Sequence, residues 1–287
     1  MTFSAIDLHA HTTCSDGTDT PRELMEAAAR VGLTTVGITD HDTIAGWQEA
    51  AAQVSRVGVS LVRGMEMTTR YHDGDTAISV HMLAYLFDPD NLTLTQHREN
   101  MLGAREERAR EIVRRLARDV PISWDDVVAA AGSEGVIGRP HIADALVARG
   151  VVADRNQAFD ALLHPRHKYY VPTYAPDTLE AIGWINDAGG RAVVAHPLAR
   201  SRGKVVPLSA LDAMKEAGLF GVEIWHRDNP DERREELCAV ARRLELFPFG
   251  ASDYHGRGKP NRLGEHTTAP ETLTALAHGA FLEVLTP

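Results

Sequence analysis

Residues 3–42 read FSAIDLHAHTTCSDGTDTPRELMEAAARVGLTTVGITDHD, and this stretch decides the fold. The apolar run Phe3–His9 reads as a strand. Pro21–Val31 follows as a helix: Thr20 can accept an orphan backbone N–H as its N-cap, proline is tolerated in the first turn, and Gly32 stops it. Thr34–Thr39 is a second strand. Strand, helix, strand at this pitch is a right-handed βαβ unit, the repeat of a largely parallel sheet. Both strands run out into charge, as Asp7-Leu8-His9-Ala10-His11-Thr12 and as Ile38-Thr39-Asp40-His41-Asp42.

Outward from this unit the alternation continues, with a helix at Thr43–Val57 and strands at Val59–Thr68 and Ile78–Phe87. It then breaks. Gln96–Arg118 reads as a long Arg/Glu-rich helix, and Trp124–Ala131, Ile142–Ala148 and Asn156–Leu163 as shorter ones, so residues 97–172 form a helical insertion between barrel segments 1–96 and 173–287. Helices at Pro176–Ala188, Leu208–Ala217, Pro230–Leu244 and Glu271–His278 then alternate with strands at Arg191–Ala195, Gly221–Trp225, Phe247–Ala251 and Phe281–Leu285. About eight strands close a (β/α) barrel of seven or eight units. An open doubly wound sheet lacks support, because no Gly-rich phosphate loop follows the first strand.

The 287 residues are 44% hydrophobic and 24% charged, a soluble globular composition. No apolar run is long enough to span a membrane, and Met1-Thr2-Phe3-Ser4 carries no basic leader. Two cysteines, Cys14 and Cys238, do not make a disulfide framework. A cytoplasmic protein with no membrane partner is expected. The net charge of −10 argues against stable, sequence-blind DNA binding. Between Arg98 and Pro172, twelve Lys/Arg meet eleven Asp/Glu, which leaves −11 on the rest. That pattern suits an acidic, metal-loaded body under an anion-facing cap, or simply a helical segment with solvated ion pairs.

The candidate chemistry sits where strands end, the catalytic face of such a barrel. Side chains alternate along a strand, so Asp7, His9 and His11 share a face. Two imidazoles at that spacing can bind one ion, and a carboxylate such as Asp7 or Asp40 can orient a ligand from behind. Asp16 follows in the turn Cys14-Ser15-Asp16-Gly17. His41 ends the second strand. Glu66 stands between Met65 and Met67, where a carboxylate is costly to bury unpaired. His81, His196, Asp253 and His255 complete nine donors on six strands. Nitrogen and oxygen donors without thiolate suit zinc, manganese or iron, two or three ions if one carboxylate bridges.

The segments Asp7–Thr12, Ile38–Asp42, Gly64-Met65-Glu66, Ala195-His196-Pro197 and Ser252-Asp253-Tyr254-His255 together resemble the PHP (polymerase and histidinol phosphatase) family of metal-dependent phosphoesterases. The insertion, with Gly138-Arg139-Pro140-His141, resembles the branch of nucleoside 3',5'-bisphosphate phosphatases and trimming exoribonucleases. The resemblance implies a distorted barrel of seven βα units, an α/β TIM-like fold with one strand fewer than the pattern suggests. It implies a first ion on His9, His11, Glu66 and Asp253, a second on Glu66, His81 and His196, and a third on Asp16, His41 and His255. The family often has histidine where this chain has Asp16, and a carboxylate there favours a harder ion such as magnesium.

The implied reaction is phosphate monoester hydrolysis. A water bridging two ions loses its proton near neutral pH and attacks, and the ions offset charge on the phosphoryl oxygens. Glu66, Asp253 and His196 are the candidate catalytic residues, with Asp253, His196 and metal-bound water the alternatives for the general acid. Arg139, as a bidentate clamp, with His141, Lys168 and Arg200 or Lys204, is the candidate substrate contact set. Tyr169 and Tyr170 stack on a base or close the insertion core, and the arginines of the long helix, Arg105 and Arg108 included, read mostly as a solvated face. The expected substrate is a small nucleotide, a nucleoside 3',5'-bisphosphate foremost. A 5'-3' exoribonuclease trimming short RNA ends on the same ions, a noncatalytic accessory module and a histidinol phosphatase are the alternatives.

Overall fold

A computed structural model describes residues 5–132, 137–172, 174–200 and 203–287. Its seven strands are β1 (Ile6–Asp7), β2 (Thr35–Ile38), β3 (Ser60–Asp73), β4 (Thr76–Tyr85), β5 (Arg191–Val194), β6 (Gly221–Trp225) and β7 (Phe247–Gly250), hydrogen-bonded in sequence order. The ring nearly closes. His11 N donates to Tyr254 O at 2.8 Å and Thr268 N to Ile6 O at 2.8 Å, which joins β1 to the segments after β7. The helices are α1 (Pro21–Arg30), α2 (Trp47–Ala51), α3 (Val54–Val57), α4 (Leu92–Leu116), α5 (Trp124–Ala131), α6 (Arg139–Ala148), α7 (Arg155–Ala158), α8 (Thr178–Asp187), α9 (Ala210–Glu216), α10 (Asp231–Arg243) and α11 (Pro270–Ala277). The first helix starts as its sequence dictates: Glu23 N donates to Thr20 Oγ1 and Thr20 N to Glu23 Oε2, a reciprocal cap.

Two expectations need correction, the eighth strand and the single helix over Thr43–Val57. Phe281–Leu285 is not an eighth strand. Leu285 makes one antiparallel bridge, to Leu61, because the seven strands before it already fill the ring. The sheet is largely parallel as expected, with one departure: β3 and β4 form a hairpin, with Asp73 opposite Thr76 and Gly64 opposite Tyr85, so β4 runs against both neighbours. The link between those strands is too short for a parallel crossover, which needs a dozen residues or more. The expected helix Thr43–Val57 divides into α2 and α3. Part of the predicted first strand, Phe3 and Ser4, lies outside the described residues.

The barrel core divides by face. Val36, Ile38, Met65, Met67, Val222 and Ile224 pack outward with α1, α8, α9 and α10 residues. Ile6, Leu8, Val62, Leu83, Tyr85, Val193 and Phe249 form a second cluster, tied by Tyr85 Oη donating to Leu8 O at 2.9 Å. Val62 and Glu66 share one face of β3, so the polar cluster lies further along the strand on the same side as this apolar plug. The helices α4 to α7, between β4 and α8, have their own apolar cluster, including Ile112, Val113, Leu116, Val127, Ile142, Leu146 and the following Leu163. Among the described residues no helix is long and apolar enough to cross a membrane.

Candidate metal centre

His9 and His11 continue β1, His41 follows β2, Glu66 lies in β3, His81 in β4, His196 follows β5, and Asp253 and His255 follow β7. His81 joins from mid-strand because β4 is antiparallel: it pairs with Thr68, two residues past Glu66. All nine expected donors meet at one end of the barrel.

Glu66 is fully buried at the centre. Its Oε1 is 2.7 Å from His81 Nδ1 and 3.3 Å from His196 Nε2. Its Oε2 is 3.0 Å from His11 Nε2, 3.2 Å from His41 Nδ1 and 3.4 Å from His9 Nε2. Asp253 Oδ1 lies 3.3 Å from both His9 Nε2 and His11 Nε2. Asp16 Oδ1 lies 3.1 Å from His255 Nε2 and 3.9 Å from His41 Nε2. Among the described residues four overlapping sets result, each with donor atoms within 4.8 Å of one another: His9, His11, Glu66 and Asp253; His41, Glu66 and His81; His11, Asp16, His41 and His255; and His226, Asp228 and Asp253.

The donor set fits cations. Glu66 Oε2, His41 Nδ1, Asp16 Oδ1 and His255 Nε2 are buried without a hydrogen-bond partner, and buried polar atoms otherwise find one. His9 Nε2 faces His11 Nε2 at 3.1 Å, which sets two ring nitrogens against each other. The protonation equilibria agree. Burial opposes charge on His9 and His11, but the carboxylates win: Glu223, Glu66 and Asp253 raise His9 well above the usual range, and Asp253 and Glu66 raise His11 to about 9. Burial instead pushes His41 down to about 3, and burial with Lys259 pushes His255 down to about 4. The carboxylates around His9 and His11 thus favour positive charge at this point, which is what a cation would supply.

The backbone is held in uncommon conformations here. Asp42, His196 and Asp253 have φ of 52°, 28° and 54°. Non-glycine residues rarely adopt positive φ, and such strain persists where surrounding contacts over-determine it. His196 N donates to Glu223 Oε2 at 2.8 Å, and Asp42 N to Glu66 O at 3.0 Å.

Glu223 is the residue sequence reasoning missed. Fully buried on β6, it takes the Nδ1–H of His9 on Oε1 at 2.8 Å, which turns the Nε2 lone pair toward the cluster. Its signal was available: Glu223 sits between Val222 and Ile224 as Glu66 sits between methionines. Asp7 and Asp40 do not touch a histidine ring directly; Asp40 reaches His11 through Ser15, whose Oγ lies 3.4 Å from His11 Nδ1. Asp7 accepts Gly264 N at 2.8 Å and Ser252 N at 3.1 Å, and Asp40 accepts Thr12 N at 2.7 Å and Ser15 Oγ at 2.6 Å. They brace the loops that carry Asp253 and Asp16. Lys259, also unforeseen, places Nζ 3.0 Å from Asp253 Oδ2. His226, buried after β6, has its ring centre 5.1 Å from that of His196, the planes tilted at 57°.

The expected substrate contacts separate. Arg139 and His141 stand together in the first turn of α6; His141 Nδ1 accepts Gly138 N at 3.1 Å, and the charge of Asp16 acts on the ring. Lys168 is corrected. It is 70% exposed, pairs with Asp119 at 2.9 Å, and lines an outer hollow with Arg114, Arg115 and Arg118 that none of the nine donors reaches. Tyr169 closes the insertion core, its hydroxyl donating to Asp119 Oδ2 at 2.8 Å. Arg200 and Lys204 are exposed in the segment after His196. Arg105 and Arg108 are not a solvated face: both are half-buried, and Arg105 pairs with buried Asp42.

A barrel whose strand ends converge buried, overlapping histidine and carboxylate sets on one shared glutamate defines a metal-dependent hydrolase. The chain belongs to the PHP family, matching the PHP domain over residues 7–170. It is 33% identical over 251 residues to a 5'-3' exoribonuclease of Haemophilus influenzae, covering 87% of this chain and 89% of that one. It is 30% identical over 263 residues, 91% of each chain, to a 3',5'-nucleoside bisphosphate phosphatase of Chromobacterium violaceum. A Bifidobacterium adolescentis structure assigned as a metal-dependent phosphoesterase superposes with a TM-score of 0.92 at 45% identity, covering 96% of both chains. The protein is a metal-dependent phosphoesterase with a PHP-type TIM-like barrel.

Proposed function

We propose that this phosphoesterase hydrolyses phosphate monoesters of nucleotides, nucleoside 3',5'-bisphosphates foremost, on two or three divalent ions. The observation that carries the reading is the division of Glu66: Oε1 faces His81 and His196, while Oε2 faces His9, His11 and His41. One carboxylate serving two adjacent ions is what in-line displacement at phosphorus uses. His9, His11, Glu66 and Asp253 would hold one ion, Glu66, His81 and His196 a second, and Asp16, His41 and His255 a third. Manganese, zinc or iron suits the histidine-rich pair, and magnesium the position with Asp16. The ions, when bound, activate water and offset phosphoryl charge.

The chain's own residues do the rest. Glu223 holds the proton on His9 Nδ1 and so fixes the ring. Asp253, steadied by Lys259, and His196 are the groups placed to move a proton. Residues 97–172 act as the substrate cap over the barrel of 1–96 and 173–287, with Arg139 and His141 at its inner edge. The catalytic reading is tested by phosphate release from mononucleotides, 3',5'-bisphosphates, short 5'-phosphorylated RNAs and histidinol phosphate, with metal content measured on the same sample. Preferred turnover of a bisphosphate supports it. Shortening of RNA alone makes the protein an exoribonuclease, and no turnover by metal-loaded protein makes it an accessory module.

A further inference from the structure

One contact between the insertion and the barrel falls on the edge of the metal-ligand cluster. Arg155, the first residue of α7, gives two nitrogens to Asp144 of α6: Nε donates to Oδ1 at 2.5 Å and Nη2 to Oδ2 at 2.6 Å. This bidentate pair joins the two helices and fixes the plane of the guanidinium. The third nitrogen, Nη1, meets the turn after β7. A Cβ at Gly258 would stand 2.8 Å from Nη1, and 3.7 Å from both Asp16 O and His255 Cβ. A single glycine therefore separates Arg155 from two members of the Asp16, His41 and His255 set.

The same turn is held from its other side. Thr18 N and Gly258 N both donate to His255 O, at 3.2 and 3.1 Å, and Arg257 N donates to Thr18 Oγ1 at 2.8 Å. Gly256 has a φ of 62°, and a Cβ there would stand 2.1 Å from Thr18 Oγ1, so the approach requires glycine. Residues 256–258 thus lie between Arg155 and Thr18, two positions past Asp16. His255 Nδ1 sits 2.9 Å from Asp253 O, which leaves Nε2 to face Asp16 Oδ1 at 3.1 Å. A donor set works only while its atoms keep their places to within about half an ångström. The turn that Arg155 touches carries one of those atoms. The pairing with Asp144 also matters: an arginine with a balancing carboxylate can pack beside a cation site with little repulsion, where an unbalanced one would oppose the ion.

We propose that Arg155 is a positioning residue: it seats α6 and α7 on the turn after β7 and so holds His255, which couples docking of the insertion to occupancy of the Asp16, His41 and His255 set. This rests on the reading of that set as a cation site. The coupling runs both ways, so an ion in the set steadies the two helices.

The test titrates chelator-treated protein with manganese in a calorimeter. Asp16→Asn identifies the binding step that belongs to the set. Arg155→Met should weaken that step at least about fivefold and leave the other steps as in the parent. Arg155→Lys keeps the charge but not the fork, and should fall between parent and Met variant. Gly258→Ala, which crowds Nη1, should weaken the same step, and the double variant should lose less than the two single losses multiplied, as partners in one contact do. Amide hydrogen exchange in α6 and α7 should quicken in Arg155→Met, and should slow when manganese is added to the parent. An unaltered step in Arg155→Met, or equal weakening of every step, overturns the coupling. If Asp16→Asn removes no step, the reading of the set as a cation site falls on its own, and hydrogen exchange alone then decides whether Arg155 seats the helices.

Discussion

Glu66 and His255 differ in how many neighbours depend on them. Glu66 contacts five histidines, whereas His255 faces Asp16 at the edge of the cluster. Glu66→Gln keeps the shape and removes the charge shared by two donor sets. It should lower kcat by about a hundredfold to a thousandfold, the scale of losing one main electrostatic contact, and His255→Ala should lower it less. Steady-state rates with metal content measured on each variant check this; equal losses would mean that Glu66 does not bridge. Glu223→Gln can still accept from His9 through its amide oxygen but lacks the charge, and metal affinity should weaken about tenfold to a hundredfold, read by metal titration. Most of the nine candidate donors were legible because a polar type is out of place in or after an apolar run, and because several repeat the one-face spacing; Asp16, in a polar turn, met neither criterion, and its role as a ligand came with the family resemblance. Glu223 met the same criterion but has no histidine beside it on its strand. Lys168 misled because a charge in a sequence carries no direction: its partner, Asp119, lies 49 positions away in the chain.

At the scale of elements, close approach and cross-linking decide what is tolerated. A Cβ at Gly37 would stand 2.2 Å from Leu8 O, backbone of the neighbouring strand that cannot swing away. Gly37→Ala should therefore destabilise the protein by about 1–3 kcal/mol through strand separation, seen as a lower denaturant midpoint at unchanged slope. Helix α4 is tied to the loop after β2 by Arg105, which reaches both Asp42 and, at 3.0 Å, Thr68 Oγ1. Burial disfavours charge on Asp42, yet Arg105, with His97, holds its carboxyl at about 2. Arg105→Met strands that buried charge and should cost about 3–5 kcal/mol. Adding Asp42→Asn should recover part of the loss; no recovery in the double variant would show that Arg105 acts through packing alone. The helices were legible from caps and periodicity, α5 to the residue. The direction of β4 was not read, although the short link after β3 contains it. The division of Thr43–Val57 was hidden, because Trp47 and Val54 bury toward the barrel on a pattern one helix would also give.

For the molecule as a whole, the buried cluster couples metal binding to folding. Glu66, Asp253, Glu223, His9 and His11 are all fully buried, and the carboxylates favour positive charge among them. An unfolded chain scatters these donors over more than two hundred positions, from His9 to Asp253, and cannot offer the same site. Ions that bind only the native state stabilise it by mass action, about 4 kcal/mol each when free metal is a thousandfold above its dissociation constant. For a chain of 287 residues, an unfolding entropy near 2.1 cal/mol/K per residue makes 1 kcal/mol about 1.7 °C. Two independent ions at that excess would raise the thermal midpoint by roughly 14 °C. Chelation should therefore lower the calorimetric midpoint by about ten degrees or more and abolish phosphate release, and readdition of manganese should restore both. The magnitude separates the possibilities: one tight ion would shift the midpoint by roughly half as much, and a midpoint that does not move would mean the cluster holds protons rather than metal.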